Sequence, residues 1–166
     1  MLSSHSRPTR GSLQPQVRNY RITLTTRMTV LDVNKAVLQR YFMEGWNQGR
    51  LDVFDEIIHQ NYQNHNPYTP NLMPGAQGVK ATVALLRVAF PDLKFVIEDQ
   101  VVTDLKVATR CTMYGTHQGA LLGIPPTGKR VAVKQFQIDR FVDGKIIEHW
   151  RVSDSLGMLR QLGQAV

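Results

Sequence analysis

Cysteine is all but missing from this chain of 166 residues: Cys111 stands alone. No disulfide can form within the chain, and a lone cysteine inside an alternating run reads as a small buried hydrophobe. Long hydrophobic runs are missing too. Nothing approaches the roughly 20 apolar residues that span a bilayer, so a soluble, cytoplasmic protein without a membrane partner is expected. Acidic residues are absent from residues 1–27, which carry Arg7, Arg10, Arg18, Arg21 and Arg27. The formal charge of +7 is therefore mostly a property of that segment, because beyond it 15 Lys and Arg oppose 13 Asp and Glu. No basic stripe interleaved with aromatics occurs in the remainder, which argues against a nucleic-acid partner. The histidines His5, His59, His65, His117 and His149 show no helical H-E-x-x-H pair and there is no cysteine cluster, so no metal is expected. Neither a G-x-S-x-G elbow nor a supported Cys-His arrangement is present. Gly123-Ile124-Pro125-Pro126-Thr127-Gly128-Lys129 has the spacing of a phosphate-binding loop, but Arg130 stands where Ser or Thr is needed. Its two prolines also remove backbone donors, and an alternating strand follows instead of a helix, so nucleotide binding is rejected.

What is present divides at Met28. Residues 1–27 are rich in Arg, Ser, Thr, Pro and Gln and poor in large apolar side chains, which predicts a disordered basic tail. An organelle transit peptide, or translated sequence upstream of a start at Met28, are the alternatives. Residues 28–166 suit a single domain. Thr29 and Asp32 have the spacing of a capping box, and Val33, Val37, Leu38, Tyr41, Phe42 and Trp46 recur at helical intervals until Gly49. A short helix is expected over 51–58, a polar extended piece up to Pro67, and a third helix over 78–89, stopped at Phe90-Pro91. Alternating strands follow over 93–102 and 106–118, then a loop over 119–129, a hairpin, and a last helix over 155–162. Helices first and an antiparallel meander afterwards argue for an α+β fold with helices on one face of a curved sheet.

The hairpin carries the most information. Asp143-Gly144 joins two alternating runs, and such a pair favours a type I′ turn, which needs positive φ at both central residues. A regular ladder pairs Val142 with Lys145, Asp139 with Glu148, Gln137 with Trp150, Gln135 with Val152 and Val133 with Asp154. In that register one face combines amides, an indole and carboxylates, the makings of a small-molecule cavity. The other face mixes Phe136, Ile138, Val142 and Ile147 with Arg140, His149 and Arg151, and predicts self-association as a homodimer.

Several motifs in fixed order resemble the SnoaL-like polyketide cyclase family of the NTF2-like superfamily, of the ester cyclase type. They are Phe90-Pro91-Asp92-Leu93, Gly115-Thr116-His117-Gln118-Gly119, Gly123 to Lys129, Asp143-Gly144-Lys145-Ile146 with Glu148, Trp150 and Asp154, and Gln161-Leu162-Gly163. The match runs from about Met28 to Gly163. The resemblance implies an NTF2-like cone-shaped barrel, with N-terminal helices packed on a strongly curved, mainly antiparallel sheet that encloses a cavity. It also implies intramolecular aldol ring closure of an aromatic polyketide intermediate with no cofactor, and an acid/base role for Asp154.

The residues can meet that chemistry. Aldol closure needs a base for a carbon-bound proton, donors for the enolate, and an acid for the attacked carbonyl oxygen; one carboxylate can serve as base and acid. Asp154 is the candidate if an apolar wall raises its pKa, while capping of the last helix is its structural role. His117, beside Gly115 and Gly119, is the candidate donor. His65 and Asn66 before Pro67, Gln135, Gln137 and Trp150 on the hairpin, and Tyr41 and Trp46 on the first helix are candidate substrate-binding residues. For Tyr41 and Trp46 ordinary core packing competes. Asp139 and Glu148, facing each other as like charges, are expected at the solvated rim. The alternative functions are epoxide hydrolysis or isomerisation in the same pocket, with Arg110 a possible partner of Asp154, and noncatalytic binding of a hydrophobic ligand.

Overall fold

A computed structural model describes residues 28–65 and 73–165. Residues 1–27 and 66–72, which include Asn66 and the basic segment, lie outside this description.

The first helix, α1 (Val30–Arg40), opens on the expected capping box: the Thr29 side chain accepts from Asp32 N–H while Asp32 Oδ2 accepts from Thr29 N–H at 2.9 Å. It continues as a π-helical segment over Tyr41–Asn47, whose wider turn buries Tyr41, Phe42, Gly45 and Trp46 together. Gly45 has no room for a side chain, since a Cβ there would lie 2.3 Å from the Phe54 ring. Gly49, at φ +73°, ends the run. After α2 (Val53–Ile57) and strand β1 (Ile58–Asn64) comes α3 (Gly75–Ala89), three residues longer at its start than 78–89. Its Arg87 guanidinium donates to the carbonyls of Trp46 and Asn47 at 3.0 and 3.1 Å, satisfying acceptors left at the end of the π segment.

Strands β2 (Lys94–Val102), β3 (Lys106–Thr116), β4 (Arg130–Val142) and β5 (Lys145–Ser153) form the expected meander, and α4 (Ser155–Leu162) closes the chain. The sheet order is β1-β5-β4-β3-β2, with β1 parallel to β5 and every other pair antiparallel. The polar piece ahead of Pro67 is thus an edge strand. On the other edge, Asn47 covers β2: its amide donates to the Phe95 carbonyl at 3.0 Å and accepts from Phe95 N–H at 2.7 Å, filling the ladder sites that an edge leaves open. Helices and inward sheet face enclose one core, in which Leu38, Phe42, Phe54, Val83, Phe90, Val107 and Ile146 are fully buried. Each such side chain contributes about 1.5–3 kcal/mol of transfer free energy. Among the described residues no helix is long and apolar enough to cross a membrane.

The hairpin register departs from the regular one. Asp143 and Gly144 take the positive φ values of the turn, +50° and +69°, and Val142 pairs with Lys145 as expected. Phe141 then pairs with Ile146, but Arg140 pairs with Glu148, so Ile147 is an extra residue in β5. This β-bulge exchanges the faces of every following position in β5. Asp139 pairs with His149, Ile138 with Trp150, Gln137 with Arg151, Phe136 with Val152 and Gln135 with Ser153. The regular ladder mixes apolar and polar side chains on both faces, whereas the bulge sorts them, turning the amides, Asp139 and His149 inward and leaving Phe136, Ile138 and Val152 exposed on the outward face.

Candidate active site

The sorted inward face is a polar wall. From β4 it presents Gln135, Gln137 and Asp139, and from β5 His149 and Arg151; the first four are 5% exposed or less. Asp139 is fully buried, and it is satisfied rather than stranded. Gln137 Nε2 donates to its Oδ2 at 2.7 Å, and its Oδ1 lies 2.8 Å from His149 Nδ1. A carboxylate can only accept, so His149 carries its proton on Nδ1 and turns Nε2 into a proton acceptor. The expected Asp139–Glu148 juxtaposition at the rim does not occur. Glu148 instead lies on the other face, paired with Arg140, whose guanidinium holds its carboxyl below the usual range.

A narrow recess of about 20 Å³ beside His149 is lined by Tyr41, Trp46, Tyr62, Asn64, Val79, Thr82 and Arg151. Tyr41 and Trp46 therefore combine core packing with a place on the cleft wall. Burial pushes the Tyr41 phenol well above its usual pKa, with the Asp139 charge adding to the effect, so it is a neutral donor at any physiological pH. Burial does the same for Tyr62. Tyr62 and Asn64 come from β1, a strand whose inward residues the sequence reading left unassigned.

The two residues expected to do chemistry are not brought together. Asp154 is exposed and serves as the N-cap of α4, its Oδ1 accepting from Gly157 N–H at 2.8 Å. The interior position expected for it does not hold, because the bulge and the end of β5 turn the chain outward into the helix. His117 is buried at the far end of β3, where Nδ1 meets the Thr127 hydroxyl at 3.1 Å and accepts from Thr127 N–H at 3.3 Å. Its ring leans on Phe90 at 5.4 Å. His117 N–H also donates to the Lys129 carbonyl, so this residue pins the loop over 117–129 to the sheet.

Trp150, expected to face the cavity, lies on the outward face. His65 is exposed there and stacks on it, with ring centroids 4.6 Å apart and planes 2° from parallel. Arg110 also points outward and pairs with Glu98, so it is no partner of Asp154. Gln135 is inward as expected but belongs to a separate apolar recess with Leu86, Met113, Val133 and Met158. Its Oε1 has no hydrogen-bond partner among the described residues. The Asp139–His149 pair, Arg151, Tyr62 and Asn64 are the residues that the sequence reading missed. Segregation was the available signal: only a one-residue slip puts Phe136, Ile138, Trp150 and Val152 on one face and every hairpin amide, imidazole and inward charge on the other.

Comparison with known proteins agrees with this architecture. The family model of SnoaL-like polyketide cyclases matches residues 36–162. The chain is 35% identical over 133 residues to aklanonic acid methyl ester cyclase DnrD of Streptomyces peucetius, covering 76% of this chain and 89% of that protein. It is 32% identical over 128 residues to nogalonic acid methyl ester cyclase of Streptomyces nogalater, covering 73% and 91%. The solved structure of TsrD from Streptomyces laurentii superimposes with a TM-score of 0.74 at 28% identity, covering 80% of this chain and 96% of that one. A curved five-strand sheet behind N-terminal helices, matched over most of its length by these proteins, places the chain in the SnoaL-like polyketide cyclase family.

Proposed function

We propose that this protein is a cofactor-independent ring-closing enzyme of the polyketide cyclase type, in which His149, oriented by Asp139, moves the proton. The observation that carries this reading is the buried Asp139–His149 pair, 2.8 Å apart, on the wall of a cleft lined with phenols and an amide.

His149 Nε2 takes a proton from the carbon between two carbonyl groups. The C–H electron pair becomes an enolate, whose carbon attacks a second carbonyl of the same molecule. A carbon–carbon bond forms, the attacked C=O π pair moves to oxygen, and that oxygen receives the proton from the His149 imidazolium. Nothing is oxidised or reduced, and the His149 imidazole ends neutral as it began. Asp139 holds the ring in the reactive tautomer and stabilises the imidazolium between the two transfers. Tyr41 and Tyr62 stay protonated and can donate to developing oxyanions.

The names of the curated relatives point to polyketide methyl esters such as aklanonic acid methyl ester as substrates. Following ring closure of that compound by chromatography tests the reading. His149→Ala and Asp139→Asn are expected to lose about 10²–10⁴-fold in turnover while folding normally. Normal turnover by His149→Ala overturns the assignment.

The same reading includes a homodimer formed through the outward sheet face. Phe136, Ile138 and Val152 are 61%, 43% and 74% exposed there and adjoin Trp150. Contiguous apolar surface of this kind fits association between copies.

A further inference from the structure

Arg151 stands two residues beyond His149 on the same face of β5 and lines the same cleft. Among the described residues its guanidinium has no hydrogen-bond or ion-pair partner, whereas Asp139 is already engaged by Gln137 and His149. A carboxylate side chain from elsewhere in the chain is excluded by the sequence. All 13 Asp and Glu lie within residues 28–65 and 73–165, and residues 1–27 and 66–72 contain none. The titratable groups that bear on Arg151 are Tyr41, Tyr62 and Cys111, all neutral acids whose pKa values burial pushes up. Burial also draws the Arg151 pKa down, although a guanidinium remains charged. A half-buried cation whose guanidinium has no direct counter-ion is costly, and a fold that keeps one leaves it for an anion that arrives.

We propose that Arg151 receives an anionic oxygen of the substrate. The substrate class of this cleft is then a compound bearing either an enolised β-dicarbonyl or a carboxylate beside the reacting carbon. This rests on the ring-closing reading above and specifies where the charge goes. When His149 removes the carbon-bound proton, the enolate charge settles on oxygen, and the planar Arg151 fork supplies N–H donors at that atom. A carboxylate on the substrate would meet the same fork in a bidentate pair.

Two ligand arms separate the sources. Alizarin, a hydroxyanthraquinone, changes from yellow to red-violet when its acidic hydroxyl ionises, and stands in for the enolised system. Rhein, an anthraquinone carboxylic acid, is compared with its methyl ester. If the anion is an enolate, wild-type protein lowers the alizarin pKa by about one unit or more, Arg151→Met abolishes the shift and Arg151→Lys keeps part of it. If it is a carboxylate, wild type binds rhein about tenfold or more tightly over the ester, and Arg151→Met levels the ratio. The lysine variant preserves the test if the methionine variant fails to fold. Equal ionisation and equal acid-to-ester ratios in wild type and Arg151→Met overturn the proposal, as does wild-type protein that binds neither dye. These are binding readouts: normal turnover by His149→Ala would remove the acid/base assignment and leave them standing.

Discussion

Substitutions at Asp154 separate a cap from a catalyst. Asp154→Ala removes the acceptor of Gly157 N–H and is expected to lower stability by about 1 kcal/mol in a urea titration, with turnover per folded molecule unchanged. Asp154→Asn keeps an acceptor and should change neither. A large fall in turnover with either variant would return Asp154 to the chemistry. Gly45 is a harsher site. Its hydrogen faces the ring of Phe54, and Gly45→Ala would set a methyl 2.3 Å from that ring, so the variant is expected to lose about 1–3 kcal/mol of stability or fail to fold. At this scale the sequence spoke clearly where chemistry is local: the Thr29–Asp32 box, Gly49 and the Asp143-Gly144 turn are each determined by near neighbours. It spoke poorly about Asp154, because a residue that both ends a strand and starts a helix satisfies two patterns. His117 is another residue whose local pattern admits two readings. Its flanking glycines resemble those of a mobile site, yet they serve a close packing in which a Cβ at Gly119 would lie 2.2 Å from the Val88 carbonyl oxygen.

Elements were legible in type and order, and most bounds fell within a few residues, because apolar periodicity reports which face of each helix or strand is buried. The register of the β4–β5 ladder was not. Asp-Gly fixes the turn but says nothing about an extra residue three places later, and Ile147 decides which side chains form the cleft. Deleting Ile147 tests this directly. The shortened hairpin would keep its turn, swing Trp150 toward the helices and drive His149 and Arg151 outward. We expect loss of cooperative thermal unfolding and of turnover; a variant that unfolds cooperatively and still turns over would refute the importance of the bulge.

For the whole molecule, acid should destabilise before base does. Hydrogen bonds from the Thr116 N–H and hydroxyl hold Asp92 below its usual pKa, Thr29 does so for Asp32, and Arg140 for Glu148. The unfolded chain therefore takes up protons first as the pH falls. The stability these groups add is complete above the ordinary carboxylate range, roughly pH 4, and is lost as the pH drops through their lower folded values. Thermal midpoints measured from pH 7 downward should be flat and then fall; a rise on acidification would contradict these pairings. For the proposed dimer, Phe136→Glu on the outward face should shift sedimentation from two copies toward one without altering the fold.

Cys111 offers a way to watch this molecule breathe. It is the sequence's sole thiol, it has no exposed surface, and burial pushes its pKa up to about 12. An alkylating reagent cannot reach it until the sheet parts from the helices above. The pace at which such a reagent consumes the protein is therefore a clock for opening of the core, and a tenant lodged in the cleft should slow it.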